Sequence, residues 1–546
     1  MARKDKIVYQ IYPKSFQDSD HDGWGDIQGV ISRLDYLQEL GINYIWFNPM
    51  FVSPQKDNGY DVADYRNFDP RYGTMEDFEE LVRETGKRGI NIMFDMVFNH
   101  TSTEHEWFQR ALNGEEKYKN YYIWKKGKGN GLPPNNWQSK FAGSAWEYVE
   151  KFDEYYLHLF DPTQADLDWT NPDVRRECAD IVNYWMEKGV HGFRFDVINL
   201  ISKSSYEDDP NEYDGRQFYT DGPMEHEYLK ELNRNSFGKL DDHLTVGEMS
   251  STTIENCVGY AGKDSEELDM VFSFHHLKVD YKNKMKWELQ EPDFAELKKL
   301  LTDWQVGMQE KDAWNALFWN CHDQPRSVSR FGNDRKYRKE SAKMLAAALH
   351  MLRGTPYIYQ GEEFGMTNAY FTDISDYADV ESTNIYDVMM KNGVSREEAL
   401  HILQERSRDN ARTPMQWDES EYGGFSDHEP WLRCSRNAEG INAESDRKDP
   451  DSIFAFYQKL IQMRREMPVV QEGLFVPVET EDDAVFAYER RYENEHLLCI
   501  NNFSDRTIDT GIRTDGYQLL LTNIHDPEMG ETAVLKPYQT MIFYRN

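Results

Sequence analysis

Gly192-Phe193-Arg194-Phe195-Asp196 and Leu244-Thr245-Val246-Gly247-Glu248 each carry an apolar strand-like run straight into an acid. A short apolar run suits a strand buried on both faces, and a polar residue at its end is what a (β/α)8 TIM barrel presents at its mouth. Six more such runs appear: Val8 to Tyr12, Tyr44 to Phe47, Asn91 to Asp95, Met270 to Phe274, Ala316 to Asn320 and Pro356 to Tyr359. Amphipathic stretches lie between them, including Ile27 to Leu40, Met75 to Arg88 and Pro172 to Lys188. This alternation predicts an α/β fold with eight parallel strands closed into a barrel. Thr74 with Asp77 predicts a capping box, and Asn171 before Pro172 an N-cap.

The third and fourth runs are about ninety residues apart, three times the length of one βα unit. The excess is rich in Trp, Tyr, Gly and Lys, and predicts a small inserted domain over 102–171 between two barrel parts, 1–101 and 172–476. Beyond that the helical period fades. Ala484 to Tyr488, Leu497 to Ile500 and Thr540 to Tyr544 read as strands, so 477–546 is expected to be an antiparallel β domain. The polar stretch Phe371 to Ser407 is expected to pass over the barrel mouth.

Lys and Arg total 62 against 97 Asp and Glu, a formal charge of -35. Such a field repels nucleic acid and anionic membrane, so neither is an expected partner. The five cysteines are odd in number and scattered, without CxxC spacing, as free thiols in a reducing compartment would be. No apolar run is long enough to span a bilayer, and the start carries no apolar signal segment. A cytoplasmic monomer acting on a small molecule is expected.

Four strand ends carry the chemistry: Asp95 to His100, Arg194 with Asp196, Glu248, and His322 with Asp323. Acids, cation and imidazoles converging on one mouth outweigh the helix-capping explanation that each acid has alone. Two carboxyl groups on adjacent strands can sit about 5 Å apart, the spacing for glycoside cleavage with retention. Arg194 shares a strand face with Asp196 and is expected to hold it ionised, while burial and neighbouring acids should keep Glu248 protonated. Separately, Asp18, Asp20, Asp22 and Asp26, with the Trp24 carbonyl, follow the spacing of a calcium loop. A structural Ca2+ or Mg2+ is expected there, against an unmetallated acidic turn. Catalysis is expected to need no cofactor.

Asp95-Met96-Val97-Phe98-Asn99-His100, Gly192 to Asp196, Gly247-Glu248 and Asn320-Cys321-His322-Asp323 resemble, in order, the four sequence regions of the α-amylase family. The resemblance implies Asp196 as nucleophile, Glu248 as proton donor, Asp323 as the third carboxylate, and His100 and His322 on sugar hydroxyls. Asn58-Gly59-Tyr60-Asp61 and Arg412-Thr413-Pro414-Met415-Gln416-Trp417 are similar to the exo-acting α-glucosidase branch. That implies Tyr60 as a stacking platform and Asp61 opposite Arg412, closing the pocket around one terminal glucose.

Within the branch, Glu248-Met249-Ser250-Ser251-Thr252, Phe274 to Tyr281 and Gln164-Ala165-Asp166-Leu167 look like the trehalose-6-phosphate hydrolase group. Glucose and glucose 6-phosphate would be the products. His275, His276, Lys278, Lys282, Lys284 and Lys286, with Lys203, make a local cationic spot for phosphate, or an ordinary solvated face. An oligo-1,6-glucosidase or dextran glucosidase is the neighbouring alternative. A sucrose or trehalose isomerase and a non-catalytic family barrel are alternatives of other classes.

Overall fold

The computed structural model describes residues 3–211, 214–435 and 437–546. Eight parallel strands form one sheet: β1 Val8–Ile11, β2 Tyr44–Phe47, β3 Asn91–Met96, β4 Gly192–Phe195, β5 Leu244–Met249, β6 Met270–Ser273, β7 Ala316–Leu317 and β8 Thr355–Tyr359. β1 pairs with both β2 and β8, and a parallel bridge from Val271 to Asn315 joins β6 to β7, so the sheet closes. The (β/α)8 barrel expected from the sequence is therefore present. Gly192 is required by its crowding: a Cβ there would stand 2.8 Å from the Met93 Cβ.

Local sequence explains most element ends. Thr74 and Asp77 form a reciprocal capping box on helix Met75–Lys87, and Asn171 caps Pro172–Glu187. The predicted helix Ile27 to Leu40 is instead two, Ile27–Ser32 and Leu34–Leu40, because Arg33 leaves helical geometry with ψ 5°. β7 ends at Leu317 rather than Asn320, since the Phe318 carbonyl turns to accept from His276 Nε2 at 2.9 Å.

Between β3 and β4, His100–Ser102 pairs antiparallel with Gln164–Asp166 at the neck of the insertion. A three-stranded antiparallel sheet of Trp124–Lys125, Trp146–Val149 and Glu154–Leu157 lies beyond it. Its core of Ile123, Trp137, Trp146 and Leu157 continues into Val197 and Leu200, just past β4. The chain ends in a five-stranded antiparallel sheet, Leu474–Val478, Val485–Tyr492, Glu495–Asn502, Thr540–Arg545 and Gln518–Thr522 in spatial order, with Ile508–Arg513 and Thr532–Leu535 as a separate pair. It is tied to the barrel by Tyr488 Oη donating to the Ala348 carbonyl at 2.9 Å and Arg490 Nη1 to that of Met351 at 2.9 Å. All five cysteines are free, and no described helix is long and apolar enough to cross a membrane.

Candidate active site

Strand period two puts Arg194 and Asp196 on one side of β4, and register sets Arg194 beside Asp95 of β3 and Val246 of β5. Arg194, 1% exposed, becomes the hub. Its Nη1 lies 2.6 Å from Asp95 Oδ1 and 2.8 Å from Asp196 Oδ1, and its Nη2 pairs with Glu248. Neighbouring nitrogens of one guanidinium thus hold the carboxyl groups of adjacent strands, and the two converge.

One cation faces three carboxylates in a buried space. Burial pushes Asp196 up to about 7; Arg194 pulls it down, while Asp95, Asp323 and Asp57 push it further up. Burial raises Asp95 as well. The expectation that Arg194 holds Asp196 ionised is corrected accordingly: burial and the neighbouring acids raise its carboxyl in spite of the guanidinium. Asp196 precedes Val197, a β-branched residue in the left-handed region at φ 36°. Such a turn costs about 1–3 kcal/mol and is typical of side chains aimed by the fold.

The opposite wall is cationic. Asp323 Oδ1 receives Arg412 Nη2 at 2.8 Å and Arg408 Nη1 at 3.2 Å, and its Oδ2 lies 3.1 Å from His322 Nε2. Burial alone would raise Asp323, but His322, Arg408 and Arg412 hold it well below the usual carboxylate range. Asp379, fully buried, pairs with Arg408 at 2.6 Å and Arg412 at 3.3 Å. Burial lowers His322, and its ring lies parallel to Tyr60 with centroids 5.1 Å apart. Tyr60 Oη donates to Asp95 Oδ2 at 2.9 Å and accepts from Asn48 at 2.6 Å, which fixes the platform. His100, lowered to about 4 by burial, has Nε2 3.1 Å from the Tyr60 carbonyl.

Asp61 is not opposite Arg412. Its oxygens accept from the backbone of Lys56 at 2.8 Å and Asp57 at 3.1 Å and from Ser53 Oγ at 3.0 Å, so it braces its own loop. The acid that reaches Arg408 is instead Asp57, 3.4 Å from Arg408 Nη2 and 3.1 Å from Gln164 Nε2, with burial raising it to about 7. Arg408, Asp379 and Asp57 were missed from sequence. Arg408 was findable, since it stands four residues before Arg412; choosing between Asp57 and Asp61 needs the loop's backbone.

The expected phosphate cluster comes apart. The Lys203 side chain is buried against Asp166 Oδ2 at 2.8 Å. His275 stacks on Trp304 at 4.5 Å, His276 donates to Phe318, and burial lowers both to about 4, so neither is a cation at neutral pH. Lys286 pairs with Glu381 at 2.6 Å. Lys278, Lys282 and Lys284 remain exposed. In the acidic loop, Asp18, Asp20 and Asp22 bring carboxylate oxygens within 4.8 Å of one another. Partial burial and the charges of Asp22, Asp26 and Asp18 raise Asp20, a repulsion that a hard divalent cation relieves. Asp26 also caps helix Ile27–Ser32 through Gly29 N.

A family profile described as alpha amylase, catalytic domain, matches residues 10–473. The chain is 52% identical to the trehalose-6-phosphate hydrolase of Bacillus subtilis over 99% of its own length and 97% of that protein. It is 45% identical to the oligo-1,6-glucosidase of Parageobacillus thermoglucosidasius, over 99% and 98%. The crystal structure of the Bacillus licheniformis trehalose-6-phosphate hydrolase superposes with a TM-score of 0.95 at 52% identity, covering 99% of each chain. With these likenesses spanning both barrel and flanking regions, the chain belongs to the α-amylase family of glycoside hydrolases.

Proposed function

We propose that the chain is a retaining, exo-acting α-glucosidase that splits trehalose 6-phosphate into glucose and glucose 6-phosphate. The carrying observation is Arg194 drawing Asp196 and Glu248 together from adjacent strands. Asp196 attacks the anomeric carbon while Glu248 gives its proton to the glycosidic oxygen, and glucose 6-phosphate leaves. Glu248 then takes a proton from water, whose oxygen attacks the same carbon and frees glucose and Asp196. Asp323 holds and distorts the ring, with His100, His322, Tyr60, Asp57 and Arg412 on its hydroxyls. The pocket of Asp57, Arg408, Asp379 and Arg412 suits a chain terminus.

The similarity to proteins named trehalose-6-phosphate hydrolase supports the phosphorylated substrate. An oligo-1,6-glucosidase is the second reading, favoured by the 45% relative. Trehalose 6-phosphate, trehalose and isomaltose, offered in parallel with products resolved by chromatography, decide between them. The expected outcome is a kcat/KM for trehalose 6-phosphate about 100-fold above the others, since two or more charge-assisted contacts are lost without the phosphate. Faster cleavage of isomaltose sinks the proposal in favour of the second reading, and an isomerised disaccharide would point to glucosyl transfer.

We further propose that Asp18, Asp20, Asp22, Asp26 and the Trp24 carbonyl hold a structural Ca2+ or Mg2+ away from the reacting groups. The division into a barrel over 1–101 and 172–476, an inserted domain over 102–171 and a β domain over 477–546, the last taken back to Leu474 where its first strand begins, completes this reading, as does a cytoplasmic monomer.

A further inference from the structure

We propose that Lys140, Arg216 and Lys278, with the Ser250 hydroxyl, form the clamp for the 6-phosphate of the departing sugar, a proposal that rests on the trehalose 6-phosphate reading. Four separate excursions converge to build it. Lys140 comes from the insertion, and its Nζ donates to Ser250 Oγ at 2.9 Å. Ser250 lies two residues beyond Glu248, and the Asn199 side chain holds both its backbone N–H at 2.9 Å and its carbonyl at 3.0 Å, so the hydroxyl is fixed beside the proton donor. Lys140 Nζ also stands 5.8 Å from the Tyr219 ring, in the short helix Arg216–Tyr219 that Arg216 opens. Lys278 closes the turn His275–Lys278 that follows β6, whose Phe272 pairs in register with Glu248.

These cations are close enough to repel. Burial first, then Arg216 and Lys278, bring the Lys140 ammonium down to about 8, with Asp214 and Asp196 acting the other way. Crowding by the surrounding protein, and then Arg216, lower Lys278 too, although its side chain still reaches solvent. Asp214 pairs with Arg216 at 2.9 Å, which leaves positive charge in excess on the leaving-group side of a protein whose formal charge is -35. Like charges gathered against their own repulsion are stabilised by an anion between them, and a sugar phosphate dianion supplies two charges and three acceptor oxygens. Lys203, His275 and His276 are spent on other contacts and cannot serve.

Lys140→Met, Arg216→Met and Lys278→Met are to be compared on trehalose 6-phosphate and on 4-nitrophenyl α-glucoside, which has no phosphate. The ratio of the two kcat/KM values is expected to fall by about 10- to 100-fold for each cation removed, mainly through KM. Inhibition of the aryl glucoside reaction by glucose 6-phosphate should weaken in parallel, and Lys140→Arg should recover most of the loss. Lys278 is exposed, so its variant keeps the test open if a more enclosed substitution misfolds. Wild-type protein that does not prefer trehalose 6-phosphate to trehalose overturns the substrate reading and the clamp with it. Preference and inhibition that persist in all three variants overturn the clamp alone.

Discussion

Asp57 and Asp61 sit four residues apart in one polar loop, yet their surroundings assign them different work. Asp61 spends its oxygens on Lys56 N, Asp57 N and Ser53 Oγ, whereas Asp57 faces Arg408 and Gln164. Asp57→Asn is therefore expected to cut kcat/KM by about 100-fold or more, the scale for a charged contact to bound sugar, with little change in melting temperature. Asp61→Asn should lower the melting temperature first; equal kinetic losses from the two would contradict the assignment. At the hub, the elevated Asp196 predicts an acid limb in kcat/KM near pH 7, well above the range of an ordinary aspartate. Because Asp95 and Asp196 share one guanidinium, that limb reports the pair. The strand-end acids were legible because a period-two run fixes where its last side chains go. The pocket acid was not, because a loop has no such period, and its direction is set by backbone torsions.

Those torsions belong to the element. Asn58 at φ 51° and Gly59 at φ 102° turn the chain between Asp57 and Tyr60, so that the loop carries Asp57 to Arg408 and Tyr60 to His322. A Cβ on Gly59 would stand 2.9 Å from the Pro49 carbonyl as well as being strained. Gly59→Ala should cost about 1–3 kcal/mol in denaturant unfolding and reduce kcat/KM beyond what that loss explains. The acidic loop after β1 offers a second test. If it holds a divalent cation at about 100 times its Kd, chelation should remove about 2.7 kcal/mol and lower the melting temperature, leaving kcat unchanged well below melting. No response to chelator in either wild type or Asp20→Asn would dismiss the cation. Legibility followed burial here too. The eight barrel strands are almost wholly buried and were found, β7 apart from its early end. Ile508–Arg513 alternates buried and exposed positions and was missed, since two or three apolar side chains in a polar segment do not distinguish an edge strand from a loop.

Across the whole molecule, buried acids and net charge act on stability in the same direction. Burial raises Asp196, Asp57 and Glu363 to about 7 and Asp409 to about 6, whereas in the unfolded chain such groups titrate near about 4. Between those limits the native state binds more protons than the unfolded one, so the stability these groups contribute is present at low pH and is lost as pH rises through 6 to 7. Asp323 and Asp379 are depressed, and their contribution is lost only as pH falls below the ordinary carboxylate range. Self-repulsion from a formal charge of -35 also grows as protons leave. The melting temperature should therefore be higher at pH 6 than at pH 8. Salt at about 0.15 M should raise it more at pH 8, where screening has more repulsion to relieve. On the proposed mechanism activity runs the other way, because attack requires Asp196 without its proton. Stability and kcat/KM are thus expected to cross between pH 6 and 8, and a melting temperature that rises with kcat/KM over that interval would mean the buried carboxyl groups are not the ones titrating.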